Sequence, residues 1–145
     1  MFREAERKKI LVVDDELDMR IFLCNLLGTC GYEAIDAGGR IEGLQKVREA
    51  KPALIILDIM LPRERGIQLY RDLRRDDELR EVPVIIVWTI DKKTFSAYQK
   101  LKSPAHGQEV PEPGAYLEKP LEADELIRLV RELIRAAECR APDAL

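Results

Sequence analysis

The sequence predicts an α/β fold in which a central parallel sheet is covered by helices on both faces. Short apolar runs of strand length alternate along the chain with segments whose apolar residues recur at the helical period. Several runs consist almost entirely of Ile, Leu and Val, as expected for strands buried on both faces. With 145 residues and 46% apolar content, the chain has the size and composition of one ordinary domain with a substantial core.

The individual elements follow from these patterns. Strands are predicted at residues 10–13, 32–37, 54–57, 84–88 and 115–117. Helices are predicted at residues 17–27, from 41 to just before Lys51-Pro52, at 66–75 and around 126–134. Because strands and helices alternate regularly, the crossovers should be right-handed and the strands parallel.

One stretch interrupts this alternation between the fourth and fifth strands. Residues 102–114 contain three prolines and two glycines, so they cannot form a regular helix throughout. Phe95, Tyr98 and Leu101 keep helical spacing, which predicts a short helix before a long loop. His106 is the only histidine and lies within this loop, where we interpret it as an exposed residue without a metal or phosphohistidine role.

Charge and composition narrow the functional classes. Lys and Arg number 24 against 27 Asp and Glu, and the net charge of -3 gives no general attraction to nucleic acid or anionic membranes. The amino end is charged and lacks the apolar core of a secretory signal, and the apolar runs are shorter than a bilayer span. We therefore expect a cytoplasmic protein without membrane insertion, in which the three cysteines are reduced, structural thiols.

Three acids follow the ends of two predicted strands. Asp14 and Asp15 come after the first strand, and Asp58 comes after the third. Since parallel strands end at the same edge of the sheet, these carboxylates should lie close together. Each like-charged pair costs roughly 4 kcal/mol at 4 Å and an effective dielectric near 20, so the cluster needs a proton or a cation. A hard, oxygen-seeking ion such as Mg2+ fits best.

Four motifs, in order at successive strand ends, now point to a known family. They are the acidic pair Asp14-Asp15, the block from Asp58 to Gly66, the hydroxyl of Thr89, and the dipeptide Lys119-Pro120. From about Lys9 to Arg135, the chain resembles the receiver domain of response regulators in two-component signalling. The resemblance implies a doubly wound, flavodoxin-like sheet of order 2-1-3-4-5 with five helices.

The same resemblance implies a domain organisation. The receiver domain should occupy residues 9–139, with an insertion near 102–114, between an N-terminal extension at 1–8 and a tail at 140–145. Because the tail is too short for an output domain, the output should be another protein, unless the chain is a fragment of a longer regulator.

The resemblance also assigns roles at the acidic cluster. Asp58 would be the phosphoacceptor, a carboxylate nucleophile that forms an aspartyl phosphate. Mg2+ would be held by Asp14, Asp15, Asp58 and the backbone carbonyl of Met60, with Asp15 bonded directly and Asp14 partly through water. Asp14 can also act as an acid that favours the helix N-terminus, and Glu16 is interpreted as only such a first-turn charge.

Further residues complete the implied switch. Lys119 would pair with Asp58 and then with the phosphoryl oxygens, and Pro120 resembles the family's cis-proline. Thr89 would donate its hydroxyl to the phosphoryl group, while Tyr116 occupies the switch-aromatic position; the alternative is that Tyr116 is an ordinary strand residue. Phosphorylation would then reshape the face formed by helix 4, strand 5 and helix 5.

The implied partners follow from this mechanism. A histidine kinase or phosphotransfer protein would supply the phosphoryl group, and a downstream protein would read the altered face, which could also pair two copies of the chain as a homodimer. No direct nucleic-acid contact is expected. The chain would be a signalling switch rather than an enzyme, with at most slow self-catalysed phosphorylation and dephosphorylation.

The chain departs from the family pattern in two places. Ile90 stands where receivers usually carry a small residue, and with Met60 it predicts slow phosphoryl entry and slow hydrolysis. Asp91 is placed to influence the attacking water, or else caps a helix. The spacing from Thr89 to Tyr116 is roughly eight residues longer than usual, which predicts an altered output face.

Two alternative functions remain open at this point. Ile90 and the altered output face also suit a receiver-like binding module that works without phosphorylation, although the core site residues are intact. A Mg2+ phosphohydrolase that forms an aspartyl phosphate would need its nucleophile on the first strand and a second acid two positions on. Asp14 with Glu16 fits that requirement poorly.

Overall fold

The sheet has five parallel strands in the order β2-β1-β3-β4-β5. The structure is a computed structural model that describes residues 7–89 and 113–140. The strands are β1 (Lys9–Val13), β2 (Glu33–Ala37), β3 (Leu54–Asp58), β4 (Val84–Trp88) and β5 (Ala115–Glu118). This is the doubly wound, flavodoxin-like order that the family resemblance implied, so the predicted fold class is confirmed.

Four α-helices lie within the described ranges. They are α1 (Leu17–Thr29), α2 (Arg40–Ala50), α3 (Arg65–Arg75) and the C-terminal helix α4 (Ala123–Arg140), with a short 3-10 turn (Pro62–Glu64) before α3. The element boundaries agree with the sequence prediction to within two residues, except that the C-terminal helix begins three residues earlier and ends six residues later than predicted. Asp58, however, is the last residue of β3 rather than the first residue beyond it. The helix predicted around residues 95–101 lies outside the described residues, as does nearly all of the predicted insertion.

Alternating side chains of the central strands pack into two cores, one on each face of the sheet. From β1, Leu11 and Val13 join a core that includes Leu69 and Tyr70 of α3. Ile10 and Val12 point to the opposite face and join the core that includes Leu23 of α1 and Leu126, Val130 and Ile134 of the C-terminal helix. Burial on both faces explains the unbroken apolar runs of β1, β3 and β4.

The register of the strands aligns their carboxyl ends along one edge of the sheet. Val13 pairs with Leu57, and Trp88 pairs with Glu118. The next residues in these strand pairs are Asp14 beside Asp58, and Thr89 beside Lys119. The described helices include none that is long and apolar enough to cross a membrane.

Candidate phosphoacceptor site

Asp58 is a buried carboxylate at the centre of this edge. Only 3% of the residue is exposed, and its Oδ1 accepts a hydrogen bond of 2.8 Å from the backbone N–H of Met60. Burial, followed by the nearby charge of Asp14, raises the pKa of Asp58 from 3.8 to about 6, although Met60 and Lys119 act in the opposite direction. The ionised form therefore carries charge that the protein alone compensates incompletely.

Asp14 is equally buried beside it, with 2% of the residue exposed. Its Oδ1 accepts a hydrogen bond of 2.9 Å from the backbone N–H of Glu16. Burial raises the pKa of Asp14 above its ordinary value, and the neighbouring charge of Lys119 offsets part of this effect. Two of the three carboxylates that the sequence predicted to meet, Asp14 and Asp58, thus lie close together at this edge of the sheet.

Lys119 supplies the positive charge at the site. Its Nζ lies 3.4 Å from Oδ2 of Asp14, Oδ2 of Asp58 and Oε1 of Glu16. Burial acts to lower the pKa of Lys119, but the carboxylates of Asp58, Asp14 and Glu16 outweigh burial, and the pKa lies above its ordinary value. The single ammonium group of Lys119 therefore forms ion pairs with three carboxylates. The Lys119–Pro120 peptide bond is cis, as the resemblance implied.

Glu16, rather than Asp15, is the third acid that the structure brings to this cluster. Carboxylate oxygens of Asp14, Glu16 and Asp58 lie within 4.8 Å of one another, whereas Asp15 is exposed and does not belong to this group. The interpretation of Glu16 as only a first-turn charge was therefore too narrow. Its position at the N-cap of α1 brings its side chain to Lys119, a contact between distant chain segments that no local pattern reveals.

The connection from β3 to α3 is fixed tightly around Asp58. A Cβ atom on Gly66 would lie 2.7 Å from the carbonyl oxygen of Ile59 and 2.8 Å from that of Asp58, so only glycine fits against this backbone. Arg63 and Glu64 both have a φ of 59° in the turn before it. Gly66 thus allows the chain to fold back directly beneath the aspartate that the sequence singled out.

Of the predicted switch residues, Thr89 directly follows β4 and Tyr116 lies in the neighbouring strand β5. The hydroxyl of Thr89 donates a hydrogen bond of 2.9 Å to Sδ of Met60. Tyr116 is half-buried and packs, with Trp88, against the core that contains Leu11. Ile90 and Asp91 lie outside the described residues. The slow phosphoryl entry and hydrolysis expected from Ile90, and the influence of Asp91 on the attacking water, therefore remain predictions.

The donor set suits a hard divalent cation. Asp14 and Asp58 are nearly inaccessible, their pKa values are raised, and Lys119 is shared among all three acids. Clustered carboxylate oxygens of this kind match the ligand preference of Mg2+. Additional positive charge would stabilise the ionised cluster.

A parallel sheet of this order, with buried aspartates and a lysine at its carboxyl edge, is the arrangement of a signalling receiver. The sequence matches the family model described as response regulator receiver domain over residues 10–131, and the chain belongs to this family of two-component signalling. Receiver domains are signalling switches rather than true enzymes, typically bind Mg2+ and interact with kinases or phosphotransfer proteins.

Curated relatives agree with this assignment. The chain is 42% identical over 81 residues to the polar-differentiation response regulator DivK of Brucella anthropi, an alignment that covers 55% of this chain and 65% of the relative. DivK of Brucella ovis is 41% identical over the same length. The chain thus spans slightly less than two thirds of the relatives that it matches.

Solved structures show the same fold. NtrX of Brucella abortus, in complex with ADP, superposes with a TM-score of 0.74 at 25% identity, covering 92% of this chain and 28% of that chain. The receiver domain of a signal transduction histidine kinase from Syntrophus aciditrophicus gives 0.77 at 22% identity, covering 95% of this chain and 96% of that chain. At 22% identity the second likeness supports the fold alone.

Proposed function

We propose that the chain is a phosphoacceptor switch in which Asp58 receives a phosphoryl group from a histidine kinase or phosphotransfer protein. The observation that carries the proposal is the contact of one partly buried lysine, Lys119, with two buried aspartates at the carboxyl edge of the sheet. Burial raises the pKa values of Asp14 and Asp58 despite their contact with Lys119, so these two acids in their charged form do not stabilise the fold. Their presence is explained by the chemistry of a phosphorylation site.

The two oxygens of Asp58 have different environments. Oδ1 is held by the N–H of Met60, while Oδ2 contacts Lys119. We infer that Oδ2 attacks phosphorus and forms the acyl phosphate bond, as the bond from phosphorus to the donor's histidine nitrogen breaks. The ammonium group of Lys119 then pairs with the phosphoryl oxygens instead of the carboxylate of Asp58. The hydroxyl of Thr89 breaks its hydrogen bond to Sδ of Met60 and donates to a phosphoryl oxygen instead.

Asp14, Asp15, Asp58 and the carbonyl of Met60 are proposed to hold Mg2+, with the oxygen of Glu16 close enough to contribute. When bound, the ion would neutralise the negative charge that gathers between the carboxylates and the phosphoryl group. The residues of the chain itself would orient Oδ2 of Asp58 and stabilise the aspartyl phosphate. They would also transmit the change at Asp58 to Thr89 and Tyr116.

An apolar surface on α1 is suited to the phosphodonor. Leu17, Ile21 and Phe22 are 59%, 50% and 43% exposed, and Leu17 directly follows Glu16 of the site. We infer that a helical surface of the kinase or phosphotransfer protein packs on these side chains, so that its histidine reaches Asp58. The downstream partner is proposed to read the surface near Tyr116 of β5.

The intact site favours this function over a binding module that works without phosphate. The test is incubation of the full chain with Mg2+ and acetyl phosphate, followed by intact-mass measurement. We expect one phosphoryl adduct that requires Mg2+ and is absent from Asp58→Asn. Asp72→Asn, which removes an acid of α3 that pairs with Arg40 of α2, should be labelled like the wild type. An adduct that persists in Asp58→Asn would contradict the proposal, and repeated turnover of a small phosphoester would favour a phosphohydrolase.

A further inference from the structure

Arg20 connects three elements behind the acidic site. It lies in α1, its Nη1 donates a hydrogen bond of 2.8 Å to the backbone carbonyl of Asp14, and its Nε donates one of 2.9 Å to Oδ2 of Asp36 in β2. The side chain of Arg20 is 19% exposed, and that of Asp36 is 44% exposed. The end of β2 is itself held by Lys46 of α2, whose Nζ donates to the carbonyl of Asp36 at 2.6 Å.

The consequence for Asp14 is that each of its polar groups has a partner. Its N–H donates to the carbonyl of Ala37 at 3.1 Å, and its carbonyl accepts from Arg20. Its carboxylate oxygens accept from Glu16 and contact Lys119. Because a peptide group is planar, fixing the carbonyl of Asp14 also fixes the N–H and the Cα atom of Asp15, and the second acidic side chain projects from that Cα.

We propose that Arg20, oriented by Asp36, is a positioning residue that sets the affinity of the site for divalent cations. This inference rests on the proposed function, since it concerns the metal that would serve phosphoryl transfer. Carboxylates gathered at one place repel one another, and the short connection between β1 and α1 can yield to that repulsion. Arg20 holds this connection in place without contacting the ion, in the way that partners behind the ligands of a metal site control its affinity.

The geometry requires arginine rather than positive charge alone. Two different nitrogens of one planar guanidinium reach two acceptors on separate elements. A lysine ammonium is a single point charge on a flexible stem and cannot reproduce this fixed fork. Arg20→Lys should therefore behave much like Arg20→Gln.

The test measures cation binding directly on the full chain. Binding of Mn2+ is determined from the electron paramagnetic resonance signal of the free ion, and Mg2+ affinity is obtained by competition. Arg20→Gln and Arg20→Lys should each weaken binding by about tenfold or more. Asp36→Asn should give a smaller loss, and combining it with Arg20→Gln should add nothing further, because Asp36 acts through Arg20.

A second ion pair provides a matched control. Arg40 Nε lies 2.8 Å from Oδ2 of Asp72, and this ion pair joins α2 to α3. Arg40→Gln should leave cation affinity within twofold of the wild type, while thermal unfolding without metal reports the structural loss in both variants. An equal loss of affinity in Arg40→Gln, or wild-type affinity in Arg20→Gln, would overturn the inference.

The same titrations separate this inference from the proposed function. Wild-type binding that disappears in Asp58→Asn supports the site itself, and an unchanged Arg20→Gln would then reject only the role of Arg20. If wild-type binding did not depend on Asp58, the proposed function would fail first. Additive losses from Arg20→Gln and Asp36→Asn would show that Asp36 acts independently and would also contradict the proposal.

Discussion

Asp58 is held ionised at neutral pH at the expense of stability. Its pKa in the folded protein is about 6 against an ordinary value of 3.8, so the folded state binds its proton more tightly than the unfolded state. The stability that this proton contributes is complete below pH 3.8 and is lost as the pH rises through about 6. The phosphoacceptor therefore weakens the metal-free fold under the conditions in which it is reactive.

Replacing Asp58 with a neutral side chain of the same shape should remove this penalty. Without divalent metal at pH 7.5, Asp58→Asn is expected to raise the free energy of unfolding by about 1–3 kcal/mol. Urea denaturation between pH 5 and pH 8 measures the effect, and the difference from the wild type should shrink toward the acidic end. Asp72→Asn, which breaks an ion pair, should not stabilise the protein. A less stable Asp58→Asn at pH 7.5 would contradict this explanation.

The hydrogen bond between Thr89 and Met60 should bias the unphosphorylated switch. Thr89 must leave Sδ of Met60 before it can donate to a phosphoryl group, and a hydrogen bond contributes about 1 kcal/mol net. Met60→Leu removes the acceptor while keeping a similar volume, so beryllofluoride, a phosphoryl analogue, should bind roughly two- to fivefold more tightly.

A double-mutant comparison isolates that contact. In a Thr89→Val background the hydroxyl is gone, and Met60→Leu should no longer change beryllofluoride affinity. Mg2+ affinity should remain close to the wild-type value in Met60→Leu, because only the backbone of Met60 is proposed to contact the ion. The same increase in both backgrounds would show that Met60 acts by packing alone.

At the scale of elements, the connection from β3 to α3 depends on a single glycine. Alanine at position 66 would place its Cβ against backbone atoms of Ile59 and Asp58, which cannot move aside as a flexible side chain can. We expect Gly66→Ala to lower the free energy of unfolding by about 1–3 kcal/mol and to reduce labelling of Asp58 by acetyl phosphate. Chemical denaturation and intact-mass kinetics measure the two effects.

Gly28 is the matched control for this substitution. A Cβ atom on Gly28, in the last turns of α1, would have no atom within 4 Å, and alanine favours helix over glycine by up to about 1 kcal/mol. Gly28→Ala should therefore leave stability unchanged or increase it and should leave labelling intact. Equal destabilisation of both variants would show that the close approach at Gly66 is not the cause.

The exposed face of α1 should act in phosphotransfer but not in chemistry. Ile21→Asp introduces a charge into the apolar surface formed by Leu17, Ile21 and Phe22, and should slow phosphoryl transfer from a cognate kinase or phosphotransfer protein at least tenfold. Labelling by acetyl phosphate, which needs no docking surface, should remain within twofold. Ile41→Asp, at a residue of α2 that is 71% exposed, is the control and should change neither rate.

Two other results would count against this surface. Loss of acetyl phosphate labelling in Ile21→Asp would place the defect in the site or the fold, rather than in docking. Unchanged transfer from the protein donor would show that the partner approaches from another side. The comparison works because one acceptor, Asp58, reports on both donors.

At the scale of the whole molecule, the alternation of apolar runs with helical segments was sufficient to predict a parallel sheet, and the family resemblance supplied its strand order. Runs such as residues 54–57 are buried on both faces, and their composition alone indicated a parallel sheet. The positions of Asp14, Asp58 and Lys119 at its carboxyl edge followed from the same logic together with the family resemblance. The register of the paired strands then brings together residues that are far apart in the chain.

The contacts that the sequence did not predict depend on the directions of individual side chains. Glu16 reaches Lys119 although 103 positions separate them, and Asp15, exposed in the same connection, lies outside the group of carboxylates formed by Asp14, Glu16 and Asp58. The role of Arg20 was missed for the same reason, since its acceptors are a backbone carbonyl and an acid on another strand. Local secondary-structure propensity does not predict such contacts, because they form only between segments that the folded sheet brings together.

Binding of Mg2+ at the site should be coupled to the stability of the entire fold. A ligand that binds only the folded state stabilises it, by about 2.7 kcal/mol at one hundred times its dissociation constant. Mg2+ should therefore raise the thermal midpoint of the wild type, and chelation should reverse the increase. Because protons compete for Asp58, whose pKa is about 6, the stabilisation by Mg2+ should decline as the pH falls through that value.

The acids of the site provide the controls for this linkage. Asp58→Asn should be more stable than the wild type without metal and nearly indifferent to Mg2+, so the two thermal midpoints should converge as Mg2+ is added. Sodium chloride at matched ionic strength controls for screening of surface charge. If Mg2+ stabilised Asp58→Asn as much as the wild type, the cation would bind at another site. The ionised Asp58 lowers the stability of the fold, and Mg2+ binding would then not explain why this acid is buried there.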